Sequence, residues 1–452
     1  MAVIAPFRGY TYNYHVRRDF ERLVAPPYDV ISKEQQASFY EADPHNVIRL
    51  ILAKAKTGDS DWDNRYTRAA DSFRRWVSSG ILLRSNAPCI YLTSLEYDTE
   101  GGQTQTRWGI ISLVGIEEKD SGVVLPHERT FSAHKDDRLK LMRACNAQLS
   151  QIFGLFQDRD NRLLNDCREE ANFPPHVSFA LADGTRHRMW CLENPRLLRN
   201  AAEFMADSQI LIADGHHRYE TALNFRNMMR ARYGRKPAHR AYEFVMMYLT
   251  NMNDEGLTIL PSHRMVTRVP GFHLKSFLET LERWFTIIRI PVPEQDVPDE
   301  WYAALKKNLS QKWETTRIAF FRHEARKCYV LTLKPGISDD MGADLPPSLR
   351  TLDVIVLSRL VLQNGLGFDR SELDNEEIFH YQSDMKTAVS QARSGKYQMT
   401  FLLNSTKIEQ VQDVAGNGLV MPRKSTYFYP KVLSGLVFNE IDPHEIIQVP
   451  SY

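Results

Sequence analysis

Short apolar runs alternate with longer amphipathic ones along most of the chain. Cys89–Leu95 and Trp108–Val114 are apolar and rich in β-branched residues, which predicts two strands around a turn at Gly101-Gly102. Trp62, Tyr66, Ala69, Ala70, Phe73 and Trp76 recur at three- and four-residue intervals and predict an amphipathic helix over 61–77. Gln209–Ala213 and Phe244–Leu249 read as buried strands. Residues 290–300 hold three prolines and four acidic residues and read as a linker. Beyond it, 301–309 reads as a helix, 316–321 and 328–333 as a strand pair, and 397–403 as a strand. Thr406 and Glu409 have the spacing of a capping box for a helix ending near Gly416.

The pattern is α/β in the mixed α+β sense, with antiparallel elements. Nothing repeats with a period of 20–50 residues, which disfavours a solenoid or propeller. No G-x-G-x-x-G follows a strand, so a dinucleotide fold has no direct support. The expected division is 1–265 as a catalytic domain, 266–350 as a smaller α/β region, and 351–452 as a C-terminal α/β region. Composition adds exclusions. Lys+Arg is 57 and Asp+Glu 56, a net charge of +1, which argues against a nucleic-acid or membrane-surface binder. Five scattered cysteines with no C-x-x-C pair argue against a disulfide framework and for a reducing cytoplasm. Residues 1–6 lack the pattern of a signal peptide. The most apolar stretch, 352–362, is interrupted by Asp353 and Arg359 and is too short to cross a bilayer. A cytoplasmic location is expected.

Three blocks carry candidate chemistry. In Leu211–Leu223 a strand ends, Asp214-Gly215 turns, and a helix opens with His216, His217 and Arg218. Cations at that end of a helix oppose the dipole, an arrangement that makes sense around a bound phosphate, to which Gly215 would allow close backbone approach. The plainer alternative is that Asp214 caps the helix and the histidines are surface residues. In Leu125–Arg138, Glu128 is a candidate general base, and Arg129, Lys135 and Arg138 are candidate phosphate contacts at a strand end. A solvated charged loop is the competing reading. In Met421–Lys431, Lys424 could reach a phosphate, although the P-loop pattern is absent; a core strand with inward tyrosines explains the block equally well. Ala25–Ser32 reads as a rigid turn entering a helix capped by Ser32. No H-E-x-x-H occurs, and adjacent His216 and His217 point apart on a helix. Mg²⁺ carried by a nucleotide is therefore easier to accept than a tight zinc centre.

The segments APPYDVIS, LPHERT with KDDR, ADGHHRYETA, TILPSHR and MPRKSTYFYPK, in that order, resemble a bacterial and archaeal family, domain-of-unknown-function family 1015. A Pro-His-Glu turn followed later by Asp-Gly-His-x-Arg opening a helix is similar to the ParB/sulfiredoxin superfamily, closest to its free-serine kinases. That resemblance implies a ParB/sulfiredoxin-like core with large additional α/β regions, and it implies a phosphate-holding box at Asp214, His216, His217 and Arg218. It also implies catalysis by Glu128. The expectation is therefore an ATP- and Mg²⁺-dependent phosphotransferase acting on a small hydroxyl compound, L-serine first, in amino-acid metabolism. His127, Glu128 and His217 are the expected catalytic residues; Asp214, Gly215, His216, Arg218, Arg129, Lys135, Arg138 and Lys424 are the expected nucleotide contacts. No resident metal is expected, and the partners are a nucleotide and a small molecule, with a homodimer left open. The alternatives are a nucleotide-binding switch of the ParB type and a metal-dependent phosphohydrolase.

Overall fold

The computed structural model describes residues 2–128, 132–294, 296–310, 315–323, 326–337, 341–342 and 344–450. They fall into two compact units, Met1–Pro126 with Thr130–Thr258 and Pro430–Tyr452, and His127–Arg129 with Ile259–Tyr429. The fold is mixed α/β throughout.

The first unit is built on a nine-stranded sheet. Its order is Val124–Leu125, Ile210–Asp214, Ile152–Phe156, Phe244–Asn251, Thr104–Gly115, Ile90–Asp98, Arg186–Leu192 and Val177–Ala180, with Ile4–Ala5 paired to Thr104–Gly115. Two pairs are parallel, Val124–Leu125 with Ile210–Asp214 and Ile152–Phe156 with Phe244–Asn251; the other pairs are antiparallel. The central strands are buried along their length, which is why they read as continuous apolar runs instead of alternating ones. One core cluster joins Ile110, Ile152, Ile210 and Met247 of the sheet to Leu164, Ala201, Met205, Tyr219 and Ala222 of three helices.

The second unit has a fully antiparallel six-stranded sheet ordered Phe285–Pro291, Lys327–Leu333, Arg317–Arg322, Met399–Leu402, His263–Val266 and Phe379–Gln382. Helices Asp299–Ser310 and Met385–Arg393 supply Leu305, Leu309, Ala388 and Val389 to its core against Ala319, Phe321 and Val330. Pro291 ends an edge strand, where its missing N–H breaks no ladder. The apolar stretch 352–362 becomes the short helix Asp353–Val356 running into a π-helical turn, Leu357–Gln363. Among the described residues, no helix is long and apolar enough to cross a membrane, and all five cysteines are free thiols.

Three local expectations are corrected. The predicted helix over 61–77 is Arg65–Ser78, because the Asn64 side chain accepts from the N–H groups of Tyr66 and Thr67 and caps it there. Trp62 therefore lies outside the apolar face and is 91% exposed. The helix near 416 spans Ile408–Gly416 and is capped one residue later than expected. The Gln410 side chain accepts from the Lys407 N–H, while the Thr406 hydroxyl donates to the Ser425 carbonyl. Residues 132–138, placed by the sequence in a polar loop at a strand end, open the helix Ser132–Cys145.

Candidate functional site

The strand Ile210–Asp214 is anchored by three almost fully buried side chains, Ile210, Leu211 and Ile212. Its pairing with Ile152–Phe156 shifts register between Ile212 and Asp214, a bulge that leaves Ala213 as the extra residue. Such a bulge re-aims the side chains beyond it. Gly215 then takes φ +95°, a left-handed conformation that L side chains rarely adopt, and the helix His216–Tyr233 begins. A glycine at this position offers no side-chain oxygen to cap the first turn.

The Asp214 carboxylate is held from two sides. Arg218, one helical turn on, donates to Oδ2, and Lys431 Nζ lies 2.7 Å from Oδ1. The side chains of Asp214, Arg218 and Lys431 are only 15%, 11% and 12% exposed, so solvent screens their charges weakly. Two cations face one carboxylate beside the positive end of an 18-residue helix. Arg218 also donates to the Gln151 carbonyl. A Cβ on Gly215 would stand 2.9 Å from the Arg218 Nε, so the glycine makes room for that guanidinium. His216 is buried and His217 half-buried, the latter's carbonyl accepting from the Thr221 hydroxyl.

Lys135 and Arg138 come from helix Ser132–Cys145 of the same unit. Lys135 pairs with Glu220 at 2.8 Å. Arg138 donates to the Ile51 carbonyl, pairs with Asp137, and stands 3.9 Å over the Tyr28 ring. Burial pushes the Tyr28 hydroxyl up to about 12, with Arg138 and Arg218 opposing that rise. Burial would also raise Asp137, but Arg138, Tyr66 and Arg65 hold it below the ordinary carboxylate range. Tyr28, Arg138, Ser150, Arg218 and Thr221 share a cavity of about 50 Å³. The junction therefore gathers Asp214, Gly215, His216, His217 and Arg218, and the small cavity links Arg218 to Arg138.

His127, Glu128 and Lys424 belong to the other unit and form a constellation of their own. His127 is fully buried, its Nε2 2.9 Å from the Thr426 hydroxyl, its ring edge-on to Phe428. The Met421 N–H donates to the His127 carbonyl at 2.7 Å, and Glu128 bridges to Met421 in parallel register. Thr426 Oγ1 is 3.5 Å from Glu128 Oε1. Arg264 donates to the Ser262 and Lys424 carbonyls and lies 4.6 Å over the Tyr381 ring. Burial lowers its pKa, while Tyr381 and Glu128 act in the opposite sense. Lys424 itself has φ +56° and is half-buried. Arg129 lies outside the described residues.

Three polar residues of these constellations escaped the sequence reading as site residues: Lys431, Thr426 and Arg264. Each sits inside a conspicuous segment, TILPSHR or MPRKSTYFYPK, and that placement was the available signal. Among the described residues there is no group of three or more His, Cys, Asp or Glu arranged to hold a metal ion.

Comparison with known proteins gives one family match. The model described as "Protein of unknown function (DUF1015)" covers residues 4–355. No curated protein matches the chain. Among solved structures, a conserved hypothetical protein from Pyrococcus furiosus is similar at 13% identity and TM-score 0.33, over 72% of this chain and 92% of its own. A free serine kinase in complex with AMP is similar at 11% identity and TM-score 0.32, over 71% and 86%. SbnI with C-terminal truncation, from Staphylococcus aureus, is similar at 10% identity and TM-score 0.32, over 72% and 85%.

Proposed function

The chain belongs to the DUF1015 family of proteins of unknown function, and from that premise we propose that it binds a nucleotide and transfers a phosphoryl group to a small hydroxyl compound, with free L-serine as the first acceptor to test. The observation that carries this reading is the Asp214 carboxylate held between Arg218 and Lys431 at an uncapped helix start. A carboxylate alone would repel a phosphate. With two cations fixed on it, the cluster sets positive charge where backbone N–H groups also favour an anion. Asp214 then acts as a positioning residue, orienting both cations in advance of the ligand.

Phosphoryl transfer demands mainly placement and neutralisation of charge, so a preset pair of cations is the kind of machinery it uses. In this reading Arg218, Lys431 and His217 hold the phosphates. The acceptor's oxygen attacks the terminal phosphorus as the bond to the bridging oxygen breaks, and Glu128 is the residue that the sequence resemblance nominates to take the hydroxyl proton. His127, locked by Thr426, orients the Glu128 segment. Mg²⁺ carried by the nucleotide would need only one or two carboxylates and would neutralise phosphate charge there.

Calorimetric titration with ADP and Mg-ATP tests the binding half. Arg218→Ala is expected to weaken nucleotide affinity at least tenfold, and unchanged affinity would remove the phosphate role from this junction. Glu128→Gln is expected to bind nucleotide as the parent does while serine-dependent ADP production falls by about 10² or more. Full turnover in that variant would take the proton-acceptor role from Glu128. Nucleotide binding without any acceptor-dependent turnover would instead favour a nucleotide switch.

A further inference from the structure

The segment Ala25–Ser32 has no part in the phosphotransfer proposed above, yet its packing ties it to the same junction. Pro26 and Pro27 fix two consecutive φ angles, and Tyr28 follows at the head of a short 3-10 turn, Tyr28–Val30. Ala25 and Ser434 exchange backbone hydrogen bonds at 3.2 and 2.8 Å, which joins the turn to the segment that carries Lys431. On that segment the Leu433 carbonyl accepts from the Gln151 side chain at 2.8 Å, and the Gln151 carbonyl in turn accepts from Arg218. From another side the Arg138 guanidinium, fixed by the Ile51 carbonyl at 2.7 Å, lies 3.9 Å over the Tyr28 ring. The half-buried Tyr28 ring is thus preset.

Tyr28 lines the cavity of about 50 Å³ that also contains Arg138 and Arg218. One water occupies about 10–15 Å³ on this measure, so the space takes a group of roughly four heavy atoms. A phosphoryl group fits; a nucleobase does not. The polar side chains of the lining are matched within the protein, with one exception. Gln148 donates to the Phe244 carbonyl and accepts from the Met246 N–H and the Asn439 amide. Ser150 bonds to Ser434 at 2.8 Å, and Thr221 donates to the His217 carbonyl at 2.7 Å. Arg138 and Arg218 each donate to a carbonyl and a carboxylate. The Tyr28 hydroxyl forms no hydrogen bond with any described residue. Burial keeps it protonated through the neutral range, so it stands as a donor whose desolvation no protein acceptor offsets.

We propose that Tyr28 is a ligand contact of this junction, its hydroxyl donating to an oxygen of the phosphoryl group that Arg218 holds, with the base and ribose outside the cavity. The inference rests on the nucleotide reading of the Arg218 junction and deepens it: a neutral donor aimed at a phosphoryl oxygen adds selection for that group without adding charge.

The test compares the full-length parent, Tyr28→Phe and Arg218→Ala in calorimetric titration with ADP. Tyr28→Phe keeps the ring beneath Arg138 and removes only the hydroxyl. It should weaken ADP binding by about tenfold, the effect of a hydrogen bond to a charged group, and leave the unfolding midpoint without nucleotide where it was. A second readout is direct. In the chain labelled with 3-fluorotyrosine, the fluorine resonance that Tyr28→Phe removes belongs to Tyr28, and it should shift when ADP is added. Parental ADP affinity in Tyr28→Phe, or a Tyr28 resonance that ADP leaves in place, overturns the proposal while a loss in Arg218→Ala keeps the junction reading. An ADP affinity that Arg218→Ala also leaves intact, or a parent that does not bind ADP, overturns both.

Discussion

At the level of single residues, burial decides how histidine charge couples to stability. His263 is fully buried in its strand, and its Nδ1 accepts from the Leu403 N–H at 3.1 Å. Burial lowers its pKa to about 3, with Lys306 and Arg264 adding to the drop and Asp384 opposing it. The unfolded chain takes up a proton near pH 6.5, while the folded chain does not until about pH 3. Stability from this group is therefore complete above pH 6.5 and declines as pH falls towards 3. Between pH 7 and pH 5 the expected loss is about 2 kcal/mol. His263→Asn keeps an acceptor near the Leu403 N–H and cannot titrate, so the gap between parent and variant in urea unfolding should narrow by about that amount at pH 5. A constant gap would show that His263 is not buried neutral. The same scale separates what local spacing reveals from what it does not. Gly215 announces itself as a turn between a strand and a helix. Lys431 does not, because its partner Asp214 is 217 positions away and no local spacing encodes that pairing.

Elements show a related division. The run Phe244–Leu249 is legible because both faces are buried and the chain supplies six apolar residues in a row. The helix Ser132–Cys145 is hidden by its polar first half, where charged side chains satisfy partners instead of solvent: Asp137 meets Arg65 and Arg138, and Lys135 meets Glu220. The bulge at Ala213 is likewise invisible in the sequence, since it depends on the register of the neighbouring strand. Gly154 on that strand stands opposite Ile212. A Cβ there would come within 2.8 Å of both Ile210 Cγ2 and Leu249 Cδ2. Gly154→Ala is thus expected to push the strand carrying Asp214 away from its neighbour, at a cost of about 1–3 kcal/mol in denaturant unfolding. Nucleotide affinity should fall with it although residue 154 touches no phosphate. An unperturbed midpoint would mean the two strands are less tightly joined than the geometry requires.

For the molecule as a whole, the first unit is discontinuous and is completed by the last segment, Pro430–Tyr452, which follows the entire second unit in the chain. This return supplies more than Lys431. Asn439–Glu440 pairs with Ala147–Gln148, Tyr10 and Phe438 exchange backbone bonds, and Glu445 pairs with Arg84. Leu433, Leu436, Val437, Phe438, Ile441 and Ile447 are all buried. At about 1.5–3 kcal/mol for each fully buried side chain, six of them contribute on the order of 10 kcal/mol. That is comparable to the entire stability of a typical domain, about 5–15 kcal/mol. A chain ending at residue 429 should therefore lose the cooperative unfolding of the first unit, and with it all nucleotide-dependent stabilisation. Lys431→Ala in the intact chain should keep its unfolding midpoint within a few degrees and lose only nucleotide affinity. The pair of results distinguishes a structural strap from a ligand contact. A truncated chain that still melts cooperatively and binds ADP like the parent would refute both the strap and the clamp on Asp214.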